Sequence, residues 1–370
     1  MQRLIKYMSQ VNDFRTGFNK KHKLIDILAI AVLAVLSGMK TWNEIELYGR
    51  LRIDFLKRFL ELPAGIPSHD TFNRVFSMLD PAQLENALQG WVKELVANLP
   101  ADVVAIDGKA IRGSAPPDSH AYSHIVTAYA TNCGLSLAQL KVDEKSNEIT
   151  AIPKLLDMLD LEGSIVTIDA MGCQYDIAAK ILEKKADYIF SLKGNQSSMR
   201  GDALSLTMHG QPDDVFEQAD AGHGRVETRR TSVFRDMCYI QRFWPGLAAV
   251  VRIETTRYDK TNNRPLSTES RLYISSLRDV CAEKFASWVR SHWGIENALH
   301  WVLDVVFRED AGQKRAGNSA ENFSKLVRFA RNILKRYKQT IGTRDSYNLM
   351  MTRAALQQDF SVQVLRHVFS

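Results

Sequence analysis

The chain is poor in cysteine, with only Cys133, Cys173, Cys238 and Cys281 among 370 residues. They stand far apart and form no C-x-x-C pair, which excludes a zinc ribbon and a disulfide framework. A reduced, cytoplasmic setting is expected. Also missing is an apolar run long enough to cross a bilayer. The most apolar stretch, "LIDILAIAVLAVLSGM" at 24–39, contains Asp26. It falls short of the roughly 20 residues a span requires and reads as a buried core helix. The opening "MQRLIKYMSQVNDFR" lacks the continuous apolar centre of a signal peptide. There is no long low-complexity segment, and no repeat beyond a short echo described below.

What is present describes a globular protein: 45% hydrophobic and 24% charged residues. The length calls for two or three structural units. The net charge of +6 is a mild basic excess, which favours an anionic partner over a membrane.

Residues 1–98 read as helical, with apolar residues at helical spacing from Leu24 to Leu36 and again around Ile45 to Phe59. Ser68 or Asp70 is expected to cap one helix, and Asp80-Pro81 to start another. The region holds no catalytic cluster and reads as an accessory domain. The pattern changes at Pro100. Strands are expected at "DVVAIDGKAI", "AYSHIVTAYATN" and "LSLAQLKVD", then helix, strand, helix and strand through "ADYIFSLKGN". The first three strands suit hairpin pairing, and the later ones suit parallel pairing through right-handed crossovers. Residues 198–280 read as a β-rich insertion. From Cys281 the chain turns helical, and 314–344 holds nine Lys/Arg against the single acid Glu321. That stretch reads as a solvated helix face or a contact to a phosphate backbone.

Two carboxylates stand out. Asp107 in "AIDGKAIRGS" and Asp169 in "TIDAMGCQ" each read as closing an apolar strand, with a glycine close behind. Strand ends are where polar groups meet ligands. Two aspartates in contact repel, so such a pair wants a cation or a shared proton. Hard oxygen ligands favour Mg²⁺ or Mn²⁺. A third carboxylate comes from "SHWGIENALHWVLDVVFRED". On a helix His292, Glu296, His300 and Asp304 lie along one stripe, with Glu296 on the buried side. Zinc is disfavoured: this is not H-E-x-x-H, and histidines eight apart are turned about 80° from each other. His292 and His300 read as contacts to DNA or to a carboxylate. Two ions about 3.5–4 Å apart can serve the attacking and the leaving oxygen of a phosphate. Asp107 is then the bridge, with Asp169 on one ion and Glu296 on the other.

"AIDGKAIRGS", "TIDAMGCQYDIA", "YIFSLKGNQ", "GHGRVETRR" and "HWGIENALHWVLDVVFRED" resemble the DDE transposases of bacterial insertion sequences, and more narrowly the H-repeat-associated group. The resemblance covers nearly the whole chain. It implies an α/β fold with a ribonuclease-H-like mixed sheet, flanking helices, a β-rich insertion and an N-terminal helical domain. The implied layout is an accessory domain at 1–98, a catalytic domain at 99–345 and a tail at 346–370. It also implies the acidic triad Asp107, Asp169 and Glu296, two Mg²⁺ ions with Mn²⁺ as a substitute, DNA ends and target as partners, and a homo-oligomer on DNA. Related transposases often place a tyrosine, an arginine and a lysine around the glutamate. The corresponding positions here are Val289, His292 and Leu303, so Lys193, Arg308 and Lys314 are the candidate replacements.

Basic residues expected at the DNA are Lys109 and Arg112 beside Asp107, Lys193 past the strand "DYIFSL", and His223, Arg225, Arg229 and Arg230 from "GHGRVETRR". The leading expectation is a metal-dependent transposase that cleaves element ends and joins them to a target. The alternatives are a structure-selective nuclease of the same fold and an inactive relic that binds DNA.

Overall fold

The computed structural model describes every residue except 17–19, 98–100, 117, 120, 144–145, 223–224, 238–243, 260–263 and 370. Six helices come first: α1 (Gln2–Met8), α2 (Leu24–Leu36), α3 (Trp42–Leu51), α4 (Ile53–Leu56), α5 (His69–Met78) and α6 (Pro81–Val96). Helix α2 is apolar on every side, and that is why it is a buried helix rather than a surface one. Its Asp26 accepts a hydrogen bond from the Leu62 N–H at 3.0 Å, which satisfies a carboxylate that burial pushes up in pKa. Thr41 and Glu44 form a capping box at α3. Of the two caps expected for α5 it is Ser68 that serves, and Asp80 with Pro81 starts α6. Among the described residues no helix is long and apolar enough to cross a membrane.

The sheet begins with β1 (Val103–Ile111), β2 (Ser123–Ala130) and β3 (Leu135–Lys141), joined antiparallel. Helix α7 (Glu148–Asp157) leads to β4 (Ile165–Ile168), and α8 (Tyr175–Glu183) leads to β5 (Asp187–Leu192). Strand β4 pairs in parallel with both β1 and β5. The order β3-β2-β1-β4-β5 is the ribonuclease-H-like arrangement expected from the sequence.

The insertion is neither wholly β nor separate. It opens with α9 (Ser197–His209), followed by β6 (Asp214–Gly222), β7 (Arg225–Phe234), β8 (Ala249–Asp259) and β9 (Pro265–Ser275). Strand β9 pairs antiparallel with β5, so one nine-stranded sheet runs through both parts. The sequence of α9, "SSMRGDALSLTMH", has no apolar face, which hid the helix.

The helical stretch expected from Cys281 is interrupted. It divides into α10 (Ala282–His292), a π-helix at Ile295–His300 and α11 (Trp301–Val305). Helix α12 (Ser319–Ile341) then runs against α2, α5, α6 and β3. The stretch expected to be a tail forms α13 (Tyr347–Leu356) and α14 (Gln358–Phe369). Their Met350, Phe360 and Leu365 share one core with Leu4, Ile27 and Leu33 at the other end of the chain.

Part of the basic stretch at 314–344 is not a solvated face, because Lys314, Lys325, Arg328 and Arg331 are buried. Lys325 pairs with Glu85 and Glu321, both at 3.2 Å. Arg328 pairs with Glu309 at 2.6 Å. Arg331 donates to the carbonyl oxygens of Ala298, at 2.9 Å, and Gly134. A buried cation must be paired, so these charges are spent inside. Lys314, expected as a phosphate contact, donates to the Lys40 carbonyl at 2.7 Å and lies over the Phe323 ring.

Burial lowers the Lys314 pKa from 10.5 to about 8, against the pull of Glu44 and Glu309. Between those two values the folded chain sheds a proton that the unfolded chain keeps, so stability rises with pH across that window. Wild type should therefore gain about 2 kcal/mol on Lys314→Met between about pH 7 and about pH 9.5 in urea unfolding. A difference that does not change with pH would contradict this.

Candidate active site

The ladder between β1 and β4 pairs Val103–Ile106 with Ile165–Ile168. The next residues are Asp107 and Asp169, so register alone sets them side by side. Asp169 follows the end of β4, as expected. Asp107 does not close its strand, because β1 continues to Ile111 along β2. It is an interior strand residue at the point where the neighbour on one edge stops.

Alternation along β1 sends Asp107 and Lys109 to one face and Gly108 to the other. Asp107 Oδ1 accepts the Gly108 N–H at 2.9 Å, and Oδ2 lies 3.5 Å from His300 Nδ1. Burial raises the Asp107 pKa to about 7, and the charges of Glu148, Asp169 and Glu296 push the same way. Asp169 Oδ1 accepts the N–H groups of Met171, at 3.0 Å, and Gly172.

Glu296 stands on the π-helix, whose Ile295 and Leu299 are buried beneath it. The glutamate itself is exposed, contrary to the buried-side placement expected for it. It forms the outer lip of a cleft of about 610 Å³ lined by Asp107, Asp169, Lys193, His292 and Trp293. The three acids thus share one cleft. Among the described residues none of them has a Lys or Arg ion partner, and no three His, Cys, Asp or Glu side chains are grouped closely enough to hold a metal ion.

The two histidines are structural neighbours of the acids. His292 Nδ1 bonds to Thr167 Oγ1 at 2.9 Å, and burial lowers its pKa. Burial lowers that of His300 to about 3, with Arg328 and Lys109 acting in the same direction. Both are neutral at physiological pH. His292, expected to touch DNA, is instead held against β4.

The expected DNA contacts divide. Lys193 is exposed on the cleft, and the Arg112 side chain is 79% exposed, with Nε 3.7 Å from Asp310. Lys109 is not available to DNA: it is buried, and Asp304, Asp310 and Glu309 surround its Nζ. Arg229 pairs with Glu227 and Asp220 in an adjoining groove, away from the acids. Arg230 is 3.6 Å from Glu217. The backbone of Arg225 opens β7, but its side chain and all of His223 lie outside the described residues.

Sequence reasoning missed Glu148. At the start of α7, it meets His124 Nε2 at 2.5 Å behind β1. A Cβ on Gly108 would overlap both groups, so only glycine allows this approach. That glycine was the available signal.

Residues 98–333 match the family described as Transposase DDE domain, and residues 5–92 match the one described as DDE_Tnp_1-associated. The "Putative transposase YncI" of Escherichia coli O157:H7 is 40% identical over 350 residues, covering 92% of this chain and 90% of that one. The "H repeat-associated putative transposase YhhI" of Escherichia coli K12 is 37% identical over 374 residues, covering 99% and 98%. Among solved structures, the piggyBac transposase synaptic complex with hairpin DNA is a distant likeness. Its TM-score is 0.46 at 11% identity, over 99% of this chain and 79% of that one. By the match over most of its length, the chain belongs to the DDE transposases, in the H repeat-associated group.

Proposed function

We propose that Asp107, Asp169 and Glu296 are the catalytic acids with which this transposase cleaves the ends of its element and joins them to target DNA. The observation that carries this reading is the state of the three acids. They line one cleft, and unlike Glu85, Glu309 and Glu321 they have no Lys or Arg partner among the described residues. Carboxylates left unpaired where one is pushed up to about pH 7 are a site waiting for positive charge.

The family implies dependence on a divalent metal ion. The chemistry of the donors suits such an ion, since all three are carboxylates on one cleft. Asp107 and Asp169 would hold one Mg²⁺, and Asp107 and Glu296 a second, with Mn²⁺ as a substitute. When bound, such ions supply Lewis-acid activation of the attacking oxygen and charge neutralisation at the phosphate.

The chain's own residues do the rest. Gly108 and Met171 fix the two aspartates through their N–H groups. Neutral His292 lines the cleft without adding charge. Lys193 and Arg112 stand exposed where a DNA backbone would enter. In the first step water attacks the phosphorus at an element end, and the P–O3′ bond breaks to leave a 3′-hydroxyl. In the second, that hydroxyl attacks a target phosphorus and the target P–O3′ bond breaks, the released 3′ oxygen taking up a proton in exchange for the one the attacking hydroxyl loses. The partners are then element ends and target DNA, held by more than one copy of the chain.

Asp107→Asn, Asp169→Asn and Glu296→Gln should each lower cleavage of end-labelled DNA by more than about a hundredfold, on the scale of losing one transition-state contact. Binding of the same DNA should survive. Wild-type cleavage by any of the three in Mg²⁺ would refute the assignment. Lys193→Ala and Arg112→Ala should weaken DNA binding alike for all sequences, each reducing the salt slope by about one. An unchanged slope would remove that residue from the DNA path.

A further inference from the structure

Lys109 is the buried cation nearest the acids in sequence. Its Nζ lies 2.7 Å from Asp304 Oδ1, 2.8 Å from Asp310 Oδ1 and 3.4 Å from Glu309 Oε2. Burial alone would lower its pKa, but the three acids outweigh that and hold it protonated. Glu309 is tied in turn to Arg328 on α12. Buried Lys109, Glu309 and Arg328 and half-buried Asp304 and Asp310 thus form one knot between β1 and the segment after Glu296.

Each end of the knot leads to a proposed catalytic acid. On the strand side, Lys109 shares a face of β1 with Asp107. On the helix side, Asp304 stands on α11, which continues directly from the π-helix that carries Glu296. His300, between them, rests 3.5 Å from Asp107.

Glu296 is exposed, so no packing on its own carboxylate sets its position. What fixes it is the placement of its backbone. A π-turn is an uncommon element, frequent at functional sites. One support is Arg331, which donates to the Ala298 carbonyl within the turn. A second, beside the core packing of Ile295 and Leu299, is the ion pair at Asp304.

We propose that the Lys109–Asp304 ion pair is a positioning device, setting the distance at which Glu296 faces Asp107 across the metal cleft. Asp310, on a separate short turn, anchors Lys109 without holding the Glu296 helix. The two acids therefore differ in function although both touch the same nitrogen. This inference rests on the reading of the three acids given above.

The test compares Asp304→Asn with Asp310→Asn in the full chain. Either change leaves Lys109 two carboxylates, so the buried charge stays compensated. Mn²⁺ binding is measured by calorimetry without DNA, and cleavage of end DNA is measured against Mg²⁺ concentration. Asp304→Asn should weaken Mn²⁺ binding about tenfold, as loss of a support behind a metal ligand does. It should shift the Mg²⁺ midpoint upward in parallel, with the rate recovering at high Mg²⁺. Asp310→Asn should change either value less than about threefold. If Asp304→Asn does not fold, Asp304→Glu keeps the charge on a longer arm and should give a smaller shift in the same direction.

The proposal is overturned if Asp304→Asn binds Mn²⁺ like wild type, or if Asp310→Asn is equally weakened. A wild-type chain that binds Mn²⁺ but cuts no DNA would defeat the catalytic reading, and the Mn²⁺ comparison would still decide the role of Asp304. A wild-type chain that binds no Mn²⁺ overturns both.

Discussion

The parallel ladder between β1 and β4 ends at Ile106 and Ile168, and the next residue on each strand is an aspartate. Everything at the cleft depends on that register. A slip of one residue would send one of the two acids to the opposite face of the sheet. The apolar residues before each aspartate hold the register, because Val104, Ile106, Val166 and Ile168 are all packed in the core shared with α7 and α8. The hydrophobic interior thus decides which charges meet. The repulsion it imposes on them is sustained by strand packing, which is far stronger than one unfavourable pair.

The remaining buried charges follow the opposite rule. Lys325, Arg328, Arg331 and Lys109 each sit among carboxylates or carbonyl oxygens. Breaking such a pair leaves an uncompensated charge inside the protein, which costs several kcal/mol. Helix α12 can therefore carry many cations and still be the central beam of the helical half. The count of Lys and Arg overstates the basic surface offered to a polyanion, since several of those cations never reach solvent.

Local pattern was enough to read the strands of the first half of the sheet, the core helix α2 and the caps of α5 and α6. The two aspartates and Glu296 were legible because each lies in a motif that announces a strand mouth or a helix stripe. Lys109 was misread because its partners lie about 200 positions away in sequence, and nothing near it shows that three acids return to cover it. The basic stretch failed for the same reason: a Lys or Arg on a helix looks alike whether it meets water or Glu85. The π-turn has no signature in "IENALH", whose apolar spacing fits an ordinary helix. Glu148 was missed because its only mark in the sequence is the absent side chain of Gly108, which it approaches from behind the strand.

The shared core of α2, α12, α13 and α14 bears on how a gene of this kind decays. Leu4 and Ile27 from the beginning of the chain are covered by Met350, Phe360 and Leu365 from its end. A premature stop codon in the last exposed-looking stretch would strip the wall from the first helices to be synthesised. A chain stopped before α13 would leave the apolar surface of α2 and α12 open to water.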